Sequence, residues 1–405
     1  MNEGSLLNRQ DVSEIDKNKT LVINKSSKNY QVYRIPLRYL YYNDKNDRIS
    51  TEFERFTSEG NDIDPSDREA YNMAIEKIIA SVKPEYLRRT KNSISNRGQD
   101  NPGVVLDDGR VVDGNRRFTC LRMIERETKK PQYFEAVILN YGYEHDYKLI
   151  KSLELELQMG VEEKVPYDPI DRIYGVYKSI RVEQAFTVDE YAALFDDRTV
   201  KDVKKDLEIA DLMCEYLDFI KCPGQFHIAK DMKLDGVLEE MPGILANVRK
   251  TDADMVEDVK YIIFSAIVTG ASTTLNQYVR NEIGKLVKNK EDLTELVQST
   301  QEAVDEVIDE IESRGSMSEE EINEIRKDVS LSQNLSDSIS TQNNKVNNRS
   351  LQDAPLKMAS EAYNKLNSIV IASIPSMRPE AKDELRRKLD SIQKKMDELR
   401  NKLDS

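Results

Sequence analysis

The segment from Val111 to Leu121 constrains this chain more than any other. Two valines end in Asp113-Gly114, Asn115-Arg116-Arg117 follow, and Phe118-Thr119-Cys120-Leu121 opens a helical pattern. That order predicts a strand, a tight turn and a helix. Gly114 allows the backbone to turn where a Cβ would clash. The N–H groups and dipole at a helix start favour an anion, and two planar guanidinium forks suit phosphate oxygens. An Asp-Gly turn followed by two solvated arginines fits the same residues.

Flanking segments add to the polyphosphate reading. Tyr33-Arg34-Ile35-Pro36-Leu37 leads through Asn43 to Asn46-Asp47-Arg48, and Gly98-Gln99-Asp100-Asn101-Pro102-Gly103-Val104-Val105 precedes the box. Phe134-Glu135-Ala136-Val137-Ile138-Leu139 alternates as a closing strand. Together with Asp113-Gly114-Asn115-Arg116-Arg117, this ordered set resembles the ParB/sulfiredoxin superfamily over about residues 30–215. The resemblance implies an α+β N-terminal ParB/sulfiredoxin-like domain. A mostly α-helical region with a helix-turn-helix-like pair and C-terminal coiled-coil helices would follow it.

It also implies a bound nucleoside triphosphate with Mg²⁺. ParB proteins bind and slowly hydrolyse CTP to switch a DNA clamp, and relatives use ATP as kinases or sulfiredoxins. By position, Gly114, Asn115, Arg116, Arg117 and Thr119 would form the nucleotide site. Gly98 would lie against the nucleotide, and Arg48 would reach the phosphates or the base. Asn115 stands where partition proteins carry glutamate. Asp113 is then the first candidate for a catalytic carboxylate, with Glu156 behind it. Glu156, with its neighbours Glu154 and Gln158, is also the nearest candidate for a metal contact; a solvated face of charges is the alternative.

At 405 residues the chain has room for two or three domains. The sequence shows neither an apolar leader nor a bilayer-length apolar run. Three cysteines, Cys120, Cys214 and Cys222, form no even disulfide framework. These features point to a cytoplasmic protein with no membrane partner, nucleoid-associated if it binds DNA. The net charge of −14 argues against indiscriminate nucleic-acid binding. Basic residues are nevertheless concentrated: Lys17 to Asn43 holds six and no acid, interleaved with tyrosines. A second acid-free stretch carries Arg88, Arg89, Lys91 and Arg97. Such stretches bind phosphate backbones and bases, or are ordinary basic surface.

Residues 1–30 read as a flexible arm and 31–145 as the nucleotide-binding domain. Ser66 is the expected N-cap of a helix ending at Pro84. Residues 146–270 read as helical. Within them, Thr187 to Phe195, a turn at Asp196-Asp197, and Thr199 to Ala210 resemble a helix-turn-helix, in which Lys201, Lys204 and Lys205 would meet DNA phosphates together with Arg88 and Arg89. A structural helical pair is the alternative.

Residues 271–328 read as a long helix or coiled coil, from Leu293, Val297, Thr300, Val304, Val307 and Ile311. Residues 329–355 read as a polar linker. In 356–405, Leu385, Leu389, Ile392, Met396, Leu399 and Leu403 repeat at alternating steps of four and three. This predicts a dimerising helix, or a hairpin with 358–376 that buries the same seam.

Other chemistries fit poorly. His145 and His227 are the only histidines, and Cys214, Cys222 and His227 lack paired zinc-ligand spacing. A sulfiredoxin needs cysteine inside the box, where Asn115 stands, so Cys120 reads as a core residue. The expectation is a nucleotide-switched DNA-binding protein, CTP favoured over ATP, with slow NTPase activity left open. Its partners would be DNA, a second protomer and, for a partition role, an ATPase. The alternative is an NTP-dependent kinase, nucleotidase or nuclease-like enzyme in DNA modification or phage defence. A third reading is an assembly protein with a vestigial pocket.

Overall fold

The computed structural model describes residues 5–23, 26–61, 63–143, 145–159, 168–195, 197–315 and 317–403. Two compact units are present, Met1–Gln342 and Asn343–Ser405. The first opens with a mixed six-stranded sheet. Its strands are β1 (Ser13–Ile23), β2 (Ser26–Pro36), β3 (Tyr41–Tyr42), β4 (Gly103–Leu106), β5 (Arg110–Asp113) and β6 (Tyr133–Leu139), in the order β1-β2-β6-β4-β5-β3. β4 runs parallel to β6 and antiparallel to β5, and β3 runs parallel to β5.

Strict alternation along the central strands separates two cores. Val105, Val111, Phe134, Ala136 and Ile138 face one side, under α2 (Arg68–Ser81), α3 (Pro84–Arg97) and α4 (Asn115–Thr128). Val104, Leu106, Val112, Val137 and Leu139 face the other, under Ile150 and Leu153 of α5 (Tyr147–Met159). The short α1 (Ser50–Ser58) precedes α2.

Helices complete this unit. They are α6 (Pro169–Tyr177), α7 (Val188–Ala192), α8 (Val200–Phe219), α9 (Phe226–Asp231), α10 (Asp235–Thr251), α11 (Val256–Thr269), α12 (Leu275–Tyr278), α13 (Gly284–Leu286), α14 (Lys290–Arg314) and α15 (Glu319–Lys327). Then come α16 (Val329–Asn367), which runs on into the second unit, and α17 (Pro379–Leu403). No helix of the described residues is long and apolar enough to cross a membrane.

Several boundaries differ from those expected. Most of the arm assigned to 1–30 is the edge strand β1 and the start of β2; its polar faces hid it, because an edge strand buries little. Asp67 rather than Ser66 caps α2, accepting from Glu69 N and Ala70 N, and Pro84 opens α3 instead of merely ending α2. The seam of 293–311 is internal, packed on α11. The linker 329–355 is helical: it has no glycine, its one proline is Pro355, and Leu335, Ile339, Gln342 and Asn343 are buried. Of the helix-turn-helix-like pair, α7 has only five residues while α8 has twenty. Asp196, expected in a turn, and the Gln158 side chain lie outside the described residues.

Candidate functional site

β5 ends at Asp113, Gly114 turns with φ of 101°, and α4 starts at Asn115. A Cβ on Gly114 would lie 2.8 Å from the Phe134 ring and 3.1 Å from the Arg117 guanidinium, so the turn is closed to side chains. The amides of residues 115–117 form the first turn of α4 and have no carbonyl of their own helix to bind.

The two arginines diverge. Arg117 points back along the turn: Nη2 donates to Asp113 Oδ2 at 3.0 Å, and Nη1 donates to the carbonyls of Asn101 and Pro102. Lys19 of β1 donates to the same Asp113 oxygen at 3.1 Å and to Pro102 O at 2.6 Å. Burial pushes the Asp113 carboxyl up, but Arg117 and Lys19 outweigh it and hold the group below the usual carboxylate range. Asp113 is therefore an ionised brace for the 98–102 loop, already satisfied by two cations.

Arg116 is half-buried and makes no hydrogen bond or ion pair among the described residues. Burial, then Arg48, then Arg117 disfavour its charge, and a guanidinium keeps that charge regardless. Beside it, Asn115 Oδ1 is buried without a partner. A cation crowded by two others at a helix N-terminus is the local arrangement that an anion would relieve.

Arg48 sits on a loop fixed from below. Asn46 Oδ1 accepts from Arg48 N at 3.0 Å, and Asn43 Oδ1 accepts from Lys45 N at 3.2 Å. Asp47 is buried and bound by Lys151 Nζ at 2.6 Å; Lys151 also donates to Lys45 O at 3.1 Å. Asn43 donates to Glu154 at 3.4 Å, and burial holds the Glu154 carboxyl well above its ordinary range. Glu154 thus lies buried beside the Asp47–Lys151 pair, with Lys178 and Glu183 acting on the same group. Gly175 makes room for Asp47, since a Cβ there would lie 3.2 Å from Asp47 Oδ2.

The other expected site residues fall apart from this group. Thr119 is fully buried, bonded to Asn115 O at 2.9 Å and to the Tyr42 hydroxyl at 2.8 Å, so it supports the turn from inside. Gly98 caps α3 at φ of 79° with open space around it, and heads the braced loop. Glu156 is half-buried, its carboxyl raised by burial and partly offset by the Ser152 hydroxyl; no described contact joins it to the box. Glu154 is buried with Asn43 and Lys151 rather than solvated.

The described residues contain no group of three metal-binding side chains. Asp113 is engaged by two cations, and no described contact brings Glu156 to the box. Cys120 is buried, its thiol pushed up to about 12. Cys222 Sγ donates to Met317 O at 2.8 Å and is not paired with His227 or Cys214.

Lys201, Lys204 and Lys205 are exposed on α8. Of the neighbouring acids, Asp202 and Glu208 share that exposure and Asp206 does not. Asp202 closes the capping box with Thr199, and buried Asp206 takes Arg198 and, at 3.5 Å, Arg172. Arg88 and Arg89 are exposed on α3, with Arg97 one end of the same helix. A cavity of about 550 Å³ lies elsewhere, between α8, α11 and α14, and is lined by Phe219, Tyr261 and Glu312 among others.

Sequence reasoning missed Lys151, placed Lys19 only in a basic stretch and Gly103 only in the segment before the box. Gly103 lies where a Cβ would come within 2.3 Å of Phe134 and 2.7 Å of Asp113 O. No local pattern marks the two lysines, because their partners are about 90 to 105 residues away in sequence. No family model matches this chain, and no curated protein matches it.

Proposed function

We propose that the chain binds a phosphate-rich nucleotide at the start of α4 and uses the bound state to control its association with DNA, as the ParB resemblance implies. The observation that carries this reading is Arg116. It is half-buried and without an anionic partner, next to Arg48 and Arg117 at a helix N-terminus. The amides of 115–117 and the Arg116 guanidinium would hold phosphate oxygens, and Arg48 would close over them. Arg117, Asp113 and Lys19 hold the turn and the 98–102 loop in shape. CTP is the favoured ligand and ATP the second, on the resemblance alone. No hydrolytic step is assigned to Asp113 or Glu156.

DNA would meet the exposed lysines of α8 and the arginines of α3 through its phosphates. The test is calorimetric titration of wild type and Arg116→Ala with CTP, ATP, GTP and UTP in Mg²⁺ buffer. Binding of one nucleotide, weakened at least tenfold in Arg116→Ala, is expected. Equal affinity in the variant, or no binding by wild type, would overturn the assignment.

A further inference from the structure

The seam of α17 is exposed. Leu389, Ile392, Met396 and Leu399 are 44%, 36%, 41% and 50% accessible, so the hairpin that would have buried them does not form. Their spacing places Leu389, Met396 and Leu403 at one core position of a heptad, and Leu385, Ile392 and Leu399 at the other. The residues flanking that seam carry one sign of charge. Lys388, Lys395 and Lys402 precede the first set, while Arg386, Gln393 and Arg400 follow the second. The acids Asp383, Glu384, Asp390, Asp397 and Glu398 all lie at the outer positions of the heptad. Two of them make exposed intrahelical bridges, Arg386–Asp383 and Lys395–Glu398.

This pattern decides the occupant. Two parallel copies would set Lys395 against Arg400 of the second copy. Two antiparallel copies would set lysines against lysines and arginines against arginines. Self-pairing therefore gains nothing from its flanks and is opposed by them. A membrane surface needs a broader apolar face with aromatic anchors, and α17 has a two-residue seam and no aromatic residue.

We propose that α17 is the basic strand of a heterotypic coiled coil, and that its partner is an acidic amphipathic helix of another protein, with leucine-type core positions and glutamate at both flanks. The pairing is independent of the nucleotide site.

The test uses the full chain and two synthetic 25-residue helices with leucine cores, one flanked throughout by glutamate and one by lysine. The glutamate-flanked helix should bind, at least tenfold more weakly in 500 mM than in 50 mM salt, and should be lost in Ile392→Asp. The triple variant Lys388→Glu, Lys395→Glu, Lys402→Glu should reverse the preference toward the lysine-flanked helix. Unchanged thermal unfolding of the folded body would show that the variants act locally. Binding of neither helix, or equal binding of both, would overturn the proposal. So would a full-chain dimer that Ile392→Asp dissociates, or seam-dependent capture by vesicles of phosphatidylcholine and phosphatidylserine in place of peptide binding.

Discussion

Successive residues on an α-helix point about 100° apart, so Arg116 and Arg117 leave the first turn in different directions. Arg117 bridges Asp113 and two loop carbonyls, and Arg117→Ala should destabilise the protein by about 2 kcal/mol through lost charge-assisted bonds. Arg116→Ala removes a crowded charge and should leave the melting temperature unchanged or higher. Thermal unfolding of the two variants separates these roles; equal losses would refute the division. Gly103→Ala forces a methyl against Phe134 and should cost about 1–3 kcal/mol, read by urea denaturation. The Asp-Gly turn and the helix start were legible because they depend on neighbouring residues. The fates of Asp113 and Thr119 were not, because Lys19 and Tyr42 reach them only through the sheet.

Between elements, α2 and α4 are joined by a network at the rim of the core. Arg122 grips Glu69 with both terminal nitrogens and Glu76 with Nε at 3.0 Å, and Arg126 also takes Glu76. Burial raises the Glu76 carboxyl, and the two arginines more than reverse this. Glu76→Ala would take the buried partner from Arg122 Nε and the carboxylate from Arg126, and should cost about 3 kcal/mol in urea unfolding. On α8, replacing Lys201, Lys204 and Lys205 with glutamine should weaken binding to duplex DNA equally across sequences and flatten its logarithmic salt slope by about three, if all three meet phosphates. An unchanged slope would remove α8 from the DNA face. Helical periodicity located α8 and α14, yet it did not tell whether the α14 seam was an interface or core. That depended on α11, which lies about 30 residues earlier in the chain.

Across the first unit, the half-buried Glu54 and the buried Glu154 link stability to pH. Burial raises Glu54 to about 8, despite a hydrogen bond from Phe226 N, and raises Glu154 in the same direction. Both bind protons more tightly folded than unfolded. Their contribution is therefore complete below the ordinary carboxylate range and is lost as pH rises toward about 8. Glu54→Gln and Glu154→Gln should gain stability relative to wild type at pH 8.5 compared with pH 5, by chemical denaturation at both pH values. A constant difference would refute the linkage. At this scale the mixed sheet followed by helices was legible from alternation and periodicity. The edge strand β1 and the helical 329–355 were not, since both are mostly polar and expose most of their residues.

The buried pair Asp47–Lys151 joins residues on either side of the boundary expected at 145, and it is not alone. Thr51 donates to Asp171 at 2.6 Å, Lys230 binds both, and Glu54 accepts from Phe226 N. The sheet and the helices thus hold each other's charges. A fragment cut at residue 145 would strip Asp47 of both its cation, Lys151, and the helix packed against it at Gly175. The sheet and the first turn of α4 are accordingly no portable cassette: recombination could not lend them to another protein without also lending the helix that holds the loop carrying Arg48.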